Sequence, residues 1–346
     1  MDQLSAHLDR GWDLAQKGDG RGAEACGRRA LEADDQSPEA HNLLGFALAM
    51  QGDVDDAIDH YKHAIALDDA YFEAMLNAAE LLVHPVGDWD GAIGYCTEAL
   101  DCAETDDEIT ECALVRVDAL LGKGDLEEAK KTMAMIPSSA TKNGAYMFLI
   151  GRAYFEVGEI EKAAALIDEA VKDDPENADA QYYRGLVRDE QGDHAGAVEA
   201  FLTARELDRQ VAAPDWAMPP ASFALLVRDV IEKLERVLSS FLQEAELYIV
   251  DTPGTEVVVE GVDPRAMVLI DPASPASIEP QADDVTTAAD GRRARARVFV
   301  YQRNVERAAG SADAVEHSLT AAFEREIEAI YVQHRASEPP ANHQLN

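Results

Sequence analysis

The chain has 346 residues, and its 67 Asp and Glu against 30 Lys and Arg give a formal net charge of −37 at pH 7. A surface this negative repels nucleic acid and anionic membrane and leaves basic protein segments as the favoured charged partners. The acids are spread over nearly the whole chain, so a solvating role, as in a salt-rich habitat, is the plainer reading of the charge itself. With 47% hydrophobic residues the chain is globular, and its length exceeds one ordinary core, so a second domain is expected. The first residues lack the basic, apolar, small-residue order of a leader, and no apolar run is long enough to cross a bilayer; a cytoplasmic location is expected. Cys26, Cys96, Cys102 and Cys112 show no Cys-x-x-Cys spacing and read as buried reduced thiols, with no disulfide, metal or cofactor implied.

In chain order, residues 4–37 form the first of about six units of some 34 residues, marked by Gly11, Leu14, Gly18-Asp19, Ala23 and Ala30. The second, residues 38–71, is the most regular, with Leu44-Gly45, Leu48, Gly52-Asp53, Ala57, Tyr61 and Ala64. Its small residues Gly45 and Ala57 let two antiparallel helices approach closely. Leu44, Leu48, Tyr61 and Ala64 fill the seam, and Gly52-Asp53 makes the turn. The third unit, from Phe72, repeats Leu82, Gly87-Asp88, Ala92, Cys96 and Ala99 with one extra residue near His84-Pro85, where proline should end the first helix early. The fourth is the least regular: Val117, Leu120, Gly124-Asp125, Ala129, Met133. The fifth (144–177) carries Gly151, Tyr154, Gly158, Ala163, Ala170 and Pro175, and the sixth (178–211) Gly185, Gly192-Asp193, Ala197, Phe201 and Ala204.

These residues resemble the tetratricopeptide repeat (TPR), a family of helical solenoids that act as docking scaffolds. The resemblance implies a mainly α fold, a TPR α-solenoid over residues 1–211, whose concave face is lined by the first helix of each pair. Counting along those helices places Trp12, Glu39, Asn42, Phe46, Met50, Glu73, Glu80, Glu111, Asp118, Phe148, Arg152, Phe155, Tyr182, Asp189 and Glu190 on that groove. It is acidic and aromatic. A protein or peptide segment with Arg, Lys and apolar anchors suits it, since guanidinium pairs with carboxylates and also lies over rings. Some members of the family clamp acidic chaperone tails with Lys, Asn and Arg on this face; here Asn42, Asn77 and Arg152 alone stand in such places, too few for that clamp. For any one residue the plainer alternative is packing between repeats.

The pattern stops in the Pro-rich stretch 212–221, where Pro214, Pro219 and Pro220 cannot continue a helix; it reads as a linker. Residues 222–334 follow, with a helical period over Leu226, Val230, Leu234 and Leu238, a strand at residues 247–250, the turn Gly261-Val262-Asp263-Pro264-Arg265 and a further apolar run. A loop at 273–293, a strand at 297–304, a short helix at 305–309 and a longer one from Asp313 to about Gln333 complete the part, ahead of a polar tail at 335–346. The phrases AELYIVDTP, GVDPR and RVFVYQRNVERAA before a final amphipathic helix resemble the small bacterial zincin-like metallopeptidase domain, an α+β fold.

In that family the last helix carries His-Glu-x-x-His, two zinc ligands around a water-activating glutamate. Laid on this chain, Arg325 stands at the first histidine, Glu326 at the glutamate and Ala329 at the second, so the resemblance implies a pseudoenzyme with a vestigial Glu326. His317 and His334 are too far along the helix to rebuild a site with Glu326 by helical spacing. Glu326 is instead expected to pair with Arg303 or Arg307, and strand 297–304 to offer a free edge for a peptide. No nucleophile elbow or phosphate-binding glycine loop is present; the glycines of residues 18–22 belong to a repeat turn. The reading is a non-catalytic scaffold, with two alternatives: an unconventional hydrolase using Glu326, and a self-assembling structural solenoid.

Overall fold

A computed structural model describes residues 3–234, 242, 245–271 and 297–337. They fall into two compact units: one holds the residues up to Pro175 with Glu190–Gly192, the other Glu176–Asp189 and the residues from Asp193 onward. The division lies ahead of the Pro-rich stretch, so that most of the sixth repeat belongs with the C-terminal part.

The first unit consists of five helix pairs: α1 (Gln3–Gln16) and α2 (Gly20–Ala33), α3 (Pro38–Ala49) and α4 (Val54–Leu67), α5 (Phe72–Leu81) and α6 (Trp89–Cys102), α7 (Asp106–Lys123) and α8 (Leu126–Met133), α9 (Gly144–Glu156) and α10 (Ile160–Asp173). The Gly-Asp pairs read from the sequence make the turns for a local reason. Gly18, Gly52, Gly87 and Gly124 take φ between +76° and +85°, the left-handed conformation that ends a helix without a Cβ penalty. The following aspartate then caps the next helix: Asp19, Asp88 and Asp125 each accept a hydrogen bond from the backbone N–H three residues on, satisfying a donor that the first turn leaves free.

Between the paired helices the small residues act as read. A Cβ on Gly45 would lie 2.8 Å from the Tyr61 ring, and Tyr61 is 1% exposed because its ring fills that gap. Pro85 ends α5 early: the chain passes through a widened turn, Leu82–Val86, in which His84 leaves helical backbone. The fourth pair is irregular as expected, with a long α7 started by a capping box between Thr105 and Glu108 and a short α8. The first helices α1, α3, α5, α7 and α9 each pack on the next member of the series, forming one row. Cys26, Cys96 and Cys112 are buried free thiols and Cys102 is half-buried.

In the second unit α11 (Ala178–Glu190) and α12 (His194–Gln210) precede α13 (Pro220–Lys233), β1 (Glu246–Val250), α14 (Thr255–Val259), β2 (Val268–Asp271), β3 (Arg297–Tyr301), α15 (Gln302–Ala309) and α16 (Val315–Ser337). The three strands form a sheet in the order β1-β3-β2, with β1 parallel and β2 antiparallel to β3. Alternate residues Leu247, Ile249, Val268, Ile270, Val298 and Val300 turn one sheet face toward Phe223, Val227, Leu319 and Phe323 of α13 and α16, the period-two burial expected of a sheet covered on one side. The Pro-rich stretch contributes Trp216 and Met218 to this core. Its backbone is fixed as well, Met218 N donating to Glu306 Oε1 at 3.0 Å and Gln302 Nε2 donating to Met218 O at 2.7 Å.

Two expectations are corrected here. The strand at 297–304 is central, paired on both sides, so it has no free edge for a peptide; strand order is set by tertiary packing and leaves no mark in the local pattern. It also stops at Tyr301, where α15 begins. The loop at 273–293 and most of the tail at 335–346 lie outside the described residues.

Candidate partner-binding face

The residues predicted for the groove separate into those that bind the next repeat and those that do not. Trp12 of α1 and Phe46 of α3 are half-buried, with ring centroids 5.3 Å apart. Asn42 is buried; its Nδ2 donates to Tyr71 Oη at 3.2 Å and its Oδ1 accepts from Asn77 Nδ2 at 3.0 Å. Burial pushes the Tyr71 phenol up to about 12. Glu111 accepts from Tyr146 Oη at 2.7 Å. Arg152 Nη2 reaches both carboxylate oxygens of Asp118, at 3.0 and 2.8 Å. Four of these links, Trp12 to Phe46, Asn42 to Asn77, Glu111 to Tyr146 and Asp118 to Arg152, join residues one repeat apart on successive first helices, so they fix the register of the row. Asn42 and Arg152 are thus committed within the array, and the places that an acidic-tail clamp needs are taken. Phe148 and Phe155 are half-buried on α9, and Met50 stands exposed at the end of α3.

Negative charge also stands exposed along the row, at Glu111 in addition to its bond to Tyr146. Glu39, Glu73, Glu80 and Glu111 are exposed, and among the described residues none of the four forms an ion pair; Glu39 accepts a hydrogen bond from Ser37 Oγ at 2.8 Å. Glu80 and Glu111 feel each other: desolvation first and the Glu111 charge second raise the pKa of Glu80. Two carboxylates that repel across adjacent helices attract any cation that approaches both.

Tyr182 of α11 is placed differently. It lies in the second unit, where the turn Asp263-Pro264-Arg265 sits upon it. Tyr182 Oη donates to Asp263 Oδ2 at 2.8 Å, and the Arg265 guanidinium lies 4.3 Å from the centre of its ring. The same guanidinium donates to Asp208 of α12 from Nε at 3.0 Å and from Nη2 at 3.2 Å, and stands 2.7 Å from Asp179. Asp208 also pairs with Arg307 at 2.8 Å. Asn304 Nδ2 holds the turn by donating to the carbonyls of Pro264 and Ala266. Burial, and then the neighbouring Asp263 charge, push the Tyr182 phenol above its ordinary range. Asp189, exposed at the end of α11, stands 2.9 Å from His194 Nδ1, and Glu190 is exposed beside it. Sequence reasoning found Tyr182 but missed Asp179, Asp208 and Arg265; the Asp-Pro-Arg turn was the visible signal.

Glu326 is half-buried and accepts a hydrogen bond from Ile270 N at 3.4 Å, and burial raises its pKa. The expected ion pair is corrected. Arg307 binds Asp208, and Arg303 Nη1 donates to the carbonyls of Arg209 at 2.6 Å and Val211 at 3.1 Å, because the end of α12 presents unpaired acceptors to it. Arg325, Ala329 and His317 are exposed. Among the described residues no group of three or more His, Cys, Asp or Glu is arranged to hold a metal ion, and no described helix is long and apolar enough to cross a membrane.

Comparison with known proteins bears on the repeats. The family model described as Tetratricopeptide repeat matches residues 8–72 and 148–212. Superkiller complex protein 3 of Homo sapiens is 27% identical over 193 residues, 54% of this chain and 12% of that protein; its Mus musculus counterpart is 26% identical over 214 residues, 60% of this chain and 14% of that protein. The chain therefore spans only about an eighth of the length of these relatives. Among solved structures, that of Pseudomonas aeruginosa pilF aligns with TM-score 0.52 at 18% identity, over 59% of this chain and 91% of that one. The pilus biogenesis factor PilW aligns with TM-score 0.52 at 14% identity, over 59% and 92%. These likenesses concern the helical repeats and carry nothing about a zincin-like domain.

Proposed function

We propose that the chain, two stretches of which match the tetratricopeptide repeat, is a non-catalytic interaction scaffold whose row of first helices, from α1 to α9, holds a basic or amphipathic segment of a protein partner. The observation that carries this reading is the set of four exposed carboxylates, Glu39, Glu73, Glu80 and Glu111, none of which forms an ion pair among the described residues. On the same row the half-buried rings of Trp12 and Phe46, packed on each other, add aromatic surface, so that a segment with arginines at one spacing and apolar anchors at another meets both. Recognition of this kind depends on charge for rate and selectivity and weakens as salt rises. The name of these relatives, Superkiller complex protein 3, accords with a scaffold.

We read the C-terminal α/β part as a zincin-like module without catalysis. Its Glu326 is spent on the edge of β2 through the Ile270 N–H, and Arg325 puts a positive charge where the resembling family binds its cation. Loss of binding of a basic amphipathic peptide on changing Glu73, Glu80 and Glu111 together to Gln, with the fold unchanged by circular dichroism, is the expected result. Undiminished binding would refute the groove reading.

A further inference from the structure

The contact between Arg265 and the sixth repeat has the chemistry of a receptor and its ligand. Asp179 and Tyr182 come from α11 and Asp208 from α12, so one repeat supplies two carboxylates and a ring, and the C-terminal part supplies a single guanidinium. The fit engages most of what an arginine offers. Nε and Nη2 meet the two oxygens of Asp208 as a fork, Nη2 also meets Asp179, the plane lies over Tyr182, and the side chain is only 12% exposed. Lysine, with one point charge and no plane, cannot reproduce this. The residues around Arg265 are those of a presented turn: Asp263 Oδ1 accepts the Arg265 N–H at 2.7 Å, and Asn304 fixes the carbonyls on either side. Such a turn holds its arginine outward with little conformational freedom left to lose on docking.

We propose that the sixth repeat is an arginine-recognition site kept occupied by the chain's own Arg265, so that a partner segment presenting an arginine on a proline turn enters by displacing residues 263–265. This rests on the reading of the repeats as partner-binding surfaces. An occupant tethered in the same chain competes at an effective concentration on the order of millimolar or more, so the wild-type site is closed to weak ligands, and whatever loosens the turn opens it.

The test uses the full chain and a labelled peptide with the sequence of residues 259–269 as the probe. Arg265→Ala should bind this peptide at least about tenfold more tightly than wild type does, because the tethered competitor is gone. The gain should vanish for the same peptide with glutamine in place of its arginine, and for the full chain carrying Asp208→Asn as well. In parallel, methylguanidinium should raise the Tm of Arg265→Ala and not that of wild type, with methylammonium as the control. Equal binding to wild type and variant, or equal binding of the glutamine peptide, overturns the proposal. If Arg265→Ala does not fold, Arg265→Gln, which keeps most of the side-chain length, takes its place with the same readouts. Glu73→Gln with Glu111→Gln should leave this binding unchanged, so failure of the groove reading in the first unit and failure of this site are seen separately.

Discussion

The row of first helices in the first unit and the face of α11 in the second present similar chemistry, carboxylates beside aromatic rings, yet their charges meet different fates. Among the described residues of the first unit, Asp118 is ion-paired with Arg152 one repeat away, while Glu39, Glu73, Glu80 and Glu111 are exposed without an ion pair, Glu111 being held to Tyr146 by a hydrogen bond alone. In the second unit Asp179 of α11 and Asp208 of α12 are filled from within the chain by Arg265. The difference teaches what each charge is for. A carboxylate met by a cation of the same chain serves the fold, and an exposed carboxylate without an ion pair can meet a cation of another molecule.

The largest expected effect breaks that contrast at Asp208. Its side chain is 13% exposed between Arg265 and Arg307, so Asp208→Ala leaves two cations facing each other and should cost about 3–5 kcal/mol in chemical denaturation of the full chain. Glu73→Gln, by comparison, should stay within about 0.5 kcal/mol of wild type. Next comes packing. Gly45→Ala drives a methyl into the Tyr61 ring and should cost about 1–3 kcal/mol, read as a fall in Tm. Asn42→Ala follows: it strips Tyr71 and Asn77 of their partner and should cost about 1–2 kcal/mol, since it leaves polar groups in a half-buried seam unpaired.

The smallest effect is in pH, and the first unit contains opposing signs. His41 Nδ1 and His60 Nδ1 are 3.0 Å apart, and the His63 ring stacks on His41 at 5.3 Å. Burial comes first in lowering both His41 and His60 below 6.5; the neighbouring imidazoles, and for His60 also Arg28 of α2, push the same way, against Asp35 and Asp56. The native state therefore prefers these histidines neutral. Their contribution is present above pH 6.5 and is lost as pH falls through that value into the depressed native range. Glu80, raised by burial and Glu111, works the other way, adding stability once it is protonated in the acid range and withdrawing it as pH rises. A Tm series from pH 7.5 down to 5.5 should show a decline that His60→Gln flattens; an unchanged slope in that variant would remove the histidines from the account.

The repeats were legible because their signals are local. A glycine that must take positive φ, an aspartate that caps the next helix and a proline that ends α5 act within a few residues of themselves, and the sequence displays all three. The face was legible as a set of positions and illegible as a set of partners. Asn42 finds Asn77, and Asp118 finds Arg152, across a full repeat, and nothing in the spacing separates an acid that will be paired from one that will not. In the C-terminal part the strands could be read from their apolar runs, but the central place of β3 and the capture of Arg303 and Arg307 by α12 arise from tertiary packing. The reading of a Glu326 ion pair failed there because the carbonyls at the end of α12 and Asp208 are nearer acceptors for those arginines.

The most direct test of the central claim is the affinity of the full chain for a basic amphipathic peptide, chosen as the tightest binder of a panel. Two variants of equal charge are compared. One changes Glu39, Glu73, Glu80 and Glu111 to Gln; the other neutralises Asp55, Asp56, Glu127 and Glu161, acids exposed on the second helices. The first should weaken binding by at least about tenfold, roughly 1.4 kcal/mol, and reduce its salt dependence, while the second leaves both nearly unchanged. Equal losses in the two variants would mean that net charge alone draws the peptide, and that the exposed carboxylates of the first helices are not a recognition surface.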